Sequence, residues 1–153
     1  MEEACSWPVC LAIRENLLPS PIPHIPILIE DIHRYVTLPD YEENCIKYVQ
    51  TIGEILPGSA RLARLRSIST NSNAEVTLRL ENIPVETIYI KDEKGRRLHI
   101  WEKFHIFKIF GKLEQKENET VLIAHKLLKV EDVPDSLNML SLLSAVVRPM
   151  YYQ

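Results

Sequence analysis

The side chains able to do chemistry in this chain are cationic and aromatic, and they are concentrated in its middle third. Residues 60–112 carry 11 Lys and Arg against 6 Asp and Glu, a local charge of +5. The segment before them carries −6 and the segment after them −2, so the overall −3 conceals a basic centre between acidic ends. Such a centre can attract a polyanion locally although the whole chain is acidic. The same charges also fit a solvated strand surface with no ligand. Catalysis has no comparable cluster. Four scattered glycines (Gly53, Gly58, Gly95, Gly111) supply no phosphate-cradling loop, and no Cys or His group has metal-ligand spacing. His24, His33, His99, His105 and His125 are dispersed, and nothing resembles a Ser-His-Asp or Cys-His arrangement. The residue types therefore point to binding rather than turnover, with no enzyme activity, cofactor or metal expected.

Length and composition agree. The chain of 153 residues suits one domain with an ordinary core. Its 46% hydrophobic and 25% charged content is that of a soluble globular protein. Cys5, Cys10 and Cys45 are an odd, sparse set, which favours a reducing intracellular compartment. The opening MEEACSWPVCLAIRE lacks the basic start of a signal peptide. The uncharged run Ser136–Val147 falls short of the roughly 20 apolar residues that span a bilayer.

The elements that must position the basic centre follow from periodicity. The first 26 residues read as irregular, with Pro21, Pro23 and Pro26 forming an extended connector whose Ile22, Ile25 and Ile27 lie against a surface. A short helix is expected over Ile29–Val36. A second, longer helix is expected over Tyr41–Leu56. Asp40 and Glu43 resemble its capping box, Tyr41, Cys45, Tyr48, Ile52 and Ile55 recur at helical steps, and Pro57-Gly58 ends it. These features make residues 1–58 an N-terminal extension packed on a domain over 59–153. In that domain the period falls to two. Strands are expected over Ser59–Thr70 and Ala74–Glu81, and again over Thr87–Lys91 and Arg96–Trp101 about a turn at Asp92–Gly95. Phe104–Leu113, apolar on both faces and with a bulge or close approach at Gly111, is the central strand. A polar hairpin at Lys116–Glu119 leads to the last strand, Val121–Val130. Five or six strands joined by turns form a small barrel. The uncharged run that follows is a helix. Leu137, Leu140, Ser144, Val147 and Met150 fall on one side, and Met139, Leu142, Leu143 and Val146 cover much of the rest. A helix apolar nearly all round is buried on more than one side. The barrel can cover one side, and a partner must cover the other.

The last third of the chain also resembles a known family. HIFKIFGKLEQKENETVLIAHKLLKVEDVPDSLNMLSLLSAVV is similar to the end of the small OB-fold subunits of replication protein A and of the telomeric CST complex. The matching residues are Gly111-Lys112-Leu113, then Ile123-Ala124-His125-Lys126-Leu127, then Val130-Glu131-Asp132, and the helix from Ser136. The resemblance covers roughly Ala60 to Tyr152. It implies an all-β core with helices: a five- to six-stranded OB-fold barrel with a C-terminal helix and an N-terminal helical and Pro-rich extension. Two strand registers are open. In a Ten-one-type register Ser59–Thr70, Ala74–Asn82 and Glu86–Asp92 are the first three strands. In a Stn-one-type register Ile46–Leu56 is the first strand, and Thr87–Gly95 and Arg96–Trp101 follow. The first is preferred because it keeps the patterned helix, although it places Ala63 or Arg64 where the family's first strand usually carries a glycine.

Such subunits assemble by packing their C-terminal helices together, and the assembly binds single-stranded DNA. The resemblance thus implies a non-catalytic nuclear subunit of a replication-protein-A-like or telomere-capping complex. Its partner would be a second OB-fold subunit, met through Leu137, Met139, Leu140, Leu143, Val146, Val147 and Met150, with no membrane involved. The alternative is a protein–protein adaptor on the same barrel that makes no nucleic-acid contact. OB-folds hold single strands with a basic groove and stacked aromatics. The candidates here are Arg64, Arg66, Arg79, Tyr89, Lys91, Arg96, Arg97, His99, Trp101, Lys103, Phe104 and Lys108. Tyr89 and Lys91 share a face opposite Ile88 and Ile90, and Arg97, His99 and Trp101 share another. An exposed Trp101 would be a stacking platform worth about 1–3 kcal/mol per base. Otherwise Trp101 would be a core or partner-facing residue.

Overall fold

The computed structural model describes residues 24–151 apart from Ala60 and Thr70. Pro21, Pro23, Cys5 and Cys10 lie outside the described residues, as do the side chains of Asn44 and Met150. The elements in chain order are β1 (Ile25–Pro26), α1 (Ile29–Val36), α2 (Tyr41–Asn44), β2 (Tyr48–Leu56), β3 (Leu62–Arg66), β4 (Glu75–Arg79), α3 (Val85–Ile88), β5 (Tyr89–Lys91), β6 (Arg97–His99), α4 (Ile100–Lys103), β7 (Ile106–Lys116), β8 (Glu119–Lys129) and α5 (Val133–Tyr151).

The main sheet runs β1-β2-β3-β4-β8-β7, and β7 returns to pair with β2, so the sheet closes. Among the five barrel strands β2, β3, β4, β7 and β8, all pairings are antiparallel except β4 with β8, which meet in parallel at Thr77↔Val121 through Arg79↔Ile123. A five-stranded Greek-key barrel closed in this order is an OB-fold. Inward residues of alternating strands fill it: Val49, Ile55, Leu65, Leu78, Phe107, Ile109, Leu113, Leu122 and Ala124 are all buried. β7 is the central strand, paired on both sides, and between Phe110 and Gly111 its register with β8 shifts by one residue, leaving His125 of β8 as the extra residue. A Cβ on Gly111 would strike the Ile123 carbonyl oxygen, so the side-chain-free residue lets β8 close in. The β7–β8 turn needs positive φ at two residues, 51° at Glu117 and 68° at Asn118.

The main departure from the sequence reading is β2. Tyr48–Leu56 is a nine-residue strand, not the second half of a helix, and only the single turn α2 forms after Asp40, with no side-chain cap. Val49, Thr51, Ile52 and Ile55 are β-branched and favour extended backbone. Val49, Thr51 and Ile55 face inward, while outward Ile52 is also buried, lining a hollow with Leu140 of α5. Burial on both faces blurs the two-residue alternation, and the helical spacing at Tyr48, Ile52 and Ile55 is coincidence. The barrel therefore starts at Tyr48, on the N-terminal side of the expected 58/59 boundary. Gly53 sits at the middle of this first strand. A Cβ there would meet the side chain of Ile29, the Arg66 carbonyl oxygen at 2.8 Å and Leu65 Cδ1 at 2.9 Å.

Neither register survives intact. β2 comes from one, and β3 and β4 are the first two strands of the other. The segment Thr87–Trp101, placed in the barrel by both, instead forms a separate two-stranded hairpin, β5–β6, between the one-turn helices α3 and α4. At the N-terminal side, β1 pairs in parallel with Val49 and Gln50, and α1 buries Ile29, Ile32, Tyr35 and Val36. α5 packs on β1 and β2 through Leu140, Ser144 and Val147, and its Arg148 reaches Asp31 of α1 at 2.8 Å.

Candidate nucleic-acid and partner surfaces

Pairing of β5 with β6 sets Tyr89 opposite His99 and Lys91 opposite Arg97. Their side chains form a column. The Arg97 guanidinium lies 3.8 Å from the Tyr89 ring centre, Tyr89 and His99 are 4.7 Å apart, and His99 stacks on Trp101 at 4.6 Å and 14°. His99 is held from below as well, because Glu102 accepts a hydrogen bond from its backbone N–H at 2.7 Å. Trp101 is only 6% exposed and belongs to the core, so it anchors the column and offers no free face to a base. The open end is cationic, with Arg97 and Lys91 both exposed. The hairpin turn is pinned by Asp92, whose carboxylate accepts N–H bonds from Lys94 at 2.9 Å and Arg96 at 2.8 Å and pairs with the Arg96 guanidinium at 2.8 Å. The Arg96 backbone bond, with the guanidinium and Lys94 in support, holds the Asp92 carboxyl below its ordinary range.

The remaining arginine candidates are already engaged. Arg64 pairs with Glu75, Arg66 with Glu54 at 2.6 Å, and Arg79 with Glu81 at 2.6 Å. Arg79 lines a groove of about 510 Å³ across β3 and β4, between the β2–β3 loop and the β7–β8 turn, together with Arg61, Lys116, Glu81, Glu117 and Glu119. This is where OB-folds commonly hold ligands. Here it contains no aromatic side chain, and Arg61 spends its guanidinium on the carbonyls of Leu80 and Ile83.

Lys103 and Phe104 sit together at the C-terminal end of α4, with Lys103 5.6 Å and Lys129 4.6 Å from the Phe104 ring. Lys108 lies elsewhere, on the outer face of β7, in a group absent from the sequence candidates. Tyr48 stands opposite Lys112, Phe110 opposite Lys126, and the Lys108 and Lys126 ammonium groups lie 5.5 and 5.9 Å from the Phe110 ring. His24 meets Tyr48 and Phe110 edge-on, and Tyr48 lies 6.0 Å from His125. The helix expected over Tyr41–Leu56 takes Tyr48 away from β7, which is why sequence reasoning missed this group.

On α5 the two sets of apolar residues part. Leu140 and Val147 are buried on the barrel and Leu137 is half-buried, whereas Met139, Leu142, Leu143 and Val146 are 41–68% exposed. Leu140 and Val147 are therefore committed to this chain's own fold, and the uncharged stripe open to another molecule is the second set, in which Leu142 joins the expected interface residues Met139, Leu143 and Val146. Among the described residues, no group of His, Cys, Asp and Glu could hold a metal, and no helix is long and apolar enough to cross a membrane.

No protein-family model and no curated protein matches the sequence. Among solved structures, the chain is similar to one from the S. pombe Stn1–Ten1 complex, with 13% identity and a TM-score of 0.47 over 80% of this chain and 92% of that one. It is similar to telomere capping protein Ten1 from Saccharomyces pombe, with 13% identity and a TM-score of 0.45 over 78% and 95%. A chain of U. maydis replication protein A bound to ssDNA gives 9% identity and 0.41 over 71% and 86%. The fold assignment rests on the strand order and the parallel β4–β8 closure, independently of these superpositions.

Proposed function

We propose that this chain is a non-catalytic OB-fold subunit of a heteromeric single-stranded-DNA-binding complex, of the replication-protein-A-like or telomere-capping kind, acting in the nucleus. The observation that carries the reading is the exposed stripe Met139, Leu142, Leu143 and Val146 on a helix whose opposite side is fixed to the barrel. Four large apolar side chains in solvent on one rigid face mark a protein-interaction surface rather than scattered surface residues. The occupant proposed is the C-terminal helix of a second OB-fold subunit, as the resemblance of the last third of the chain implies. Direct DNA contact by this chain is assigned first to the β5–β6 hairpin, through Arg97, Lys91 and the ring column behind them.

Affinity purification of the tagged chain from its own cells, followed by mass spectrometry, tests the assembly. A second OB-fold protein should co-purify with the wild type and be lost with Val146→Asp. Recovery of no OB-fold partner, or equal recovery with both forms, contradicts the proposal.

A further inference from the structure

We propose a second single-stranded-DNA contact on the outer wall of the barrel, formed by Tyr48 of β2, Lys108, Phe110 and Lys112 of β7, and Lys126 of β8. This inference rests on reading the chain as a subunit of a single-stranded-DNA-binding complex. The groove across β3 and β4 is a poor place for a phosphodiester chain. Its guanidiniums are tied to Glu81 and to backbone carbonyls, Lys116 lies 3.9 Å from Glu114, and Glu117 and Glu119 stand on its rim. A single strand needs a positive track and ring faces, and that groove supplies neither.

The wall supplies both. Cross-strand pairing places Lys112 beside Tyr48 and Lys126 beside Phe110, with Lys108 two residues along the same strand as Phe110. The stretches Tyr48–Ile52, Lys108–Lys112 and Ile123–Leu128 contain three lysines and no Asp or Glu. The carboxylates bounding the wall on β2 and β7, Glu54 and Glu114, are ion-paired with Arg66 and Lys116. Asp135, at the start of α5, shares a hollow with Lys108, and Glu42 and Glu114 share one with Lys112. The three ammonium groups form no ion pair among the described residues, so phosphates can meet them without displacing a carboxylate. Lysine is depleted in protein–protein interfaces, whereas lysines interleaved with rings are what sequence-tolerant single-strand binding uses. The wall thus differs in kind from the uncharged α5 stripe beside it.

The test is fluorescence anisotropy of the full chain with fluorescein-labelled oligo(dT) across a salt series. Each phosphate contact to a single strand contributes about −0.7 to the slope of log K against log salt, so the Lys108→Ala, Lys112→Ala, Lys126→Ala triple variant should be shallower by about 2. Phe110→Ala should weaken binding roughly 5- to 100-fold with the slope unchanged, and its thermal melt checks folding. Lys126→Glu, at an exposed site, gives a version of the test that leaves the fold alone. A triple variant with the wild-type slope overturns the wall, as does a wild-type chain that ignores oligo(dT). So does a triple variant that loses its protein partner while binding oligo(dT) normally, which would make the wall a protein interface. The hairpin variant Lys91→Ala, Arg97→Ala separates the two claims. If it alone abolishes binding, the proposed function stands and the wall falls.

Discussion

Gly53→Ala distinguishes the two possible structures of Tyr48–Leu56 by the sign of its effect. In a helix interior, replacing Gly by Ala stabilises by about 1 kcal/mol. In the barrel the new Cβ meets the Arg66 carbonyl oxygen at 2.8 Å and Leu65 Cδ1 at 2.9 Å, besides the tip of Ile29. Ile29 and Leu65 can swing aside, but the carbonyl belongs to the β3 backbone and moves only if β2 and β3 part. Overpacking of this kind costs about 1–3 kcal/mol. A loss of about 2 kcal/mol lowers Tm by roughly 4–8 °C in a domain of this size. Thermal melting by circular dichroism reads it directly. In a double-mutant cycle with Ile29→Ala, which alone costs about 2–5 kcal/mol at this buried side chain, the increment due to Gly53→Ala should shrink but not vanish, because the carbonyl contact remains. Gly95→Ala is the contrast. Nothing lies within 4 Å of its Cβ position, so its φ of 78° alone sets a penalty of about 1–2 kcal/mol. A Gly53→Ala protein with unchanged or raised Tm would refute the strand and the barrel built on it.

Other outcomes follow from the same geometry. Leu140→Ala, at a side chain 2% exposed between α5 and the barrel, should destabilise by about 2–5 kcal/mol in urea denaturation. Leu142→Asp, at a side chain 65% exposed, should change stability by about 0.5 kcal/mol or less in the same assay while preventing assembly with the partner. The depressed Asp92 pKa makes the hairpin turn pH-sensitive at the acid end. A carboxyl whose folded pKa lies below its unfolded value contributes stability above the unfolded value, near 3.8 here, and loses it as pH falls through the folded value. The Gly95 and Arg96 amide resonances should therefore shift below about pH 4, and Asp92→Asn should remove that transition.

Much of the fold was legible because most strands have one wet face. Val76 and Leu78 alternate with Glu75, Thr77 and Arg79, and β4 follows from that pattern alone. α1, the Asp92–Gly95 turn, the Glu117–Asn118 turn and the close approach at Gly111 were equally readable, each marked by residue types at those positions. β2 was not. Its outer face is covered by α5 from more than 80 residues away, and that contact makes Ile52 apolar for a reason local sequence does not contain. A glycine does sit in the middle of the first barrel strand, as Gly53, ten or eleven residues before Ala63 and Arg64 of the preferred register. The site was legible only in part. The alternation Arg97, His99, Trp101 puts three side chains on one face, and the column realises it, but the burial of Trp101 depends on where α4 turns into the core. Ion pairing of Arg64, Arg66 and Arg79 with acids on neighbouring strands or two residues away could not be read before the register was known.

The proposed assembly joins this chain to a second OB-fold subunit through α5 to form a single-stranded-DNA-binding complex. The most direct measurement purifies the complex through this chain and titrates it with oligo(dT) at increasing salt, beside the Leu142→Asp, Val146→Asp form. The expected result is a heteromer that binds with a steep negative salt slope, and a doubly substituted chain that elutes alone and binds far more weakly. A wild-type preparation that remains a monodisperse monomer, or a heteromer indifferent to oligo(dT), would contradict it.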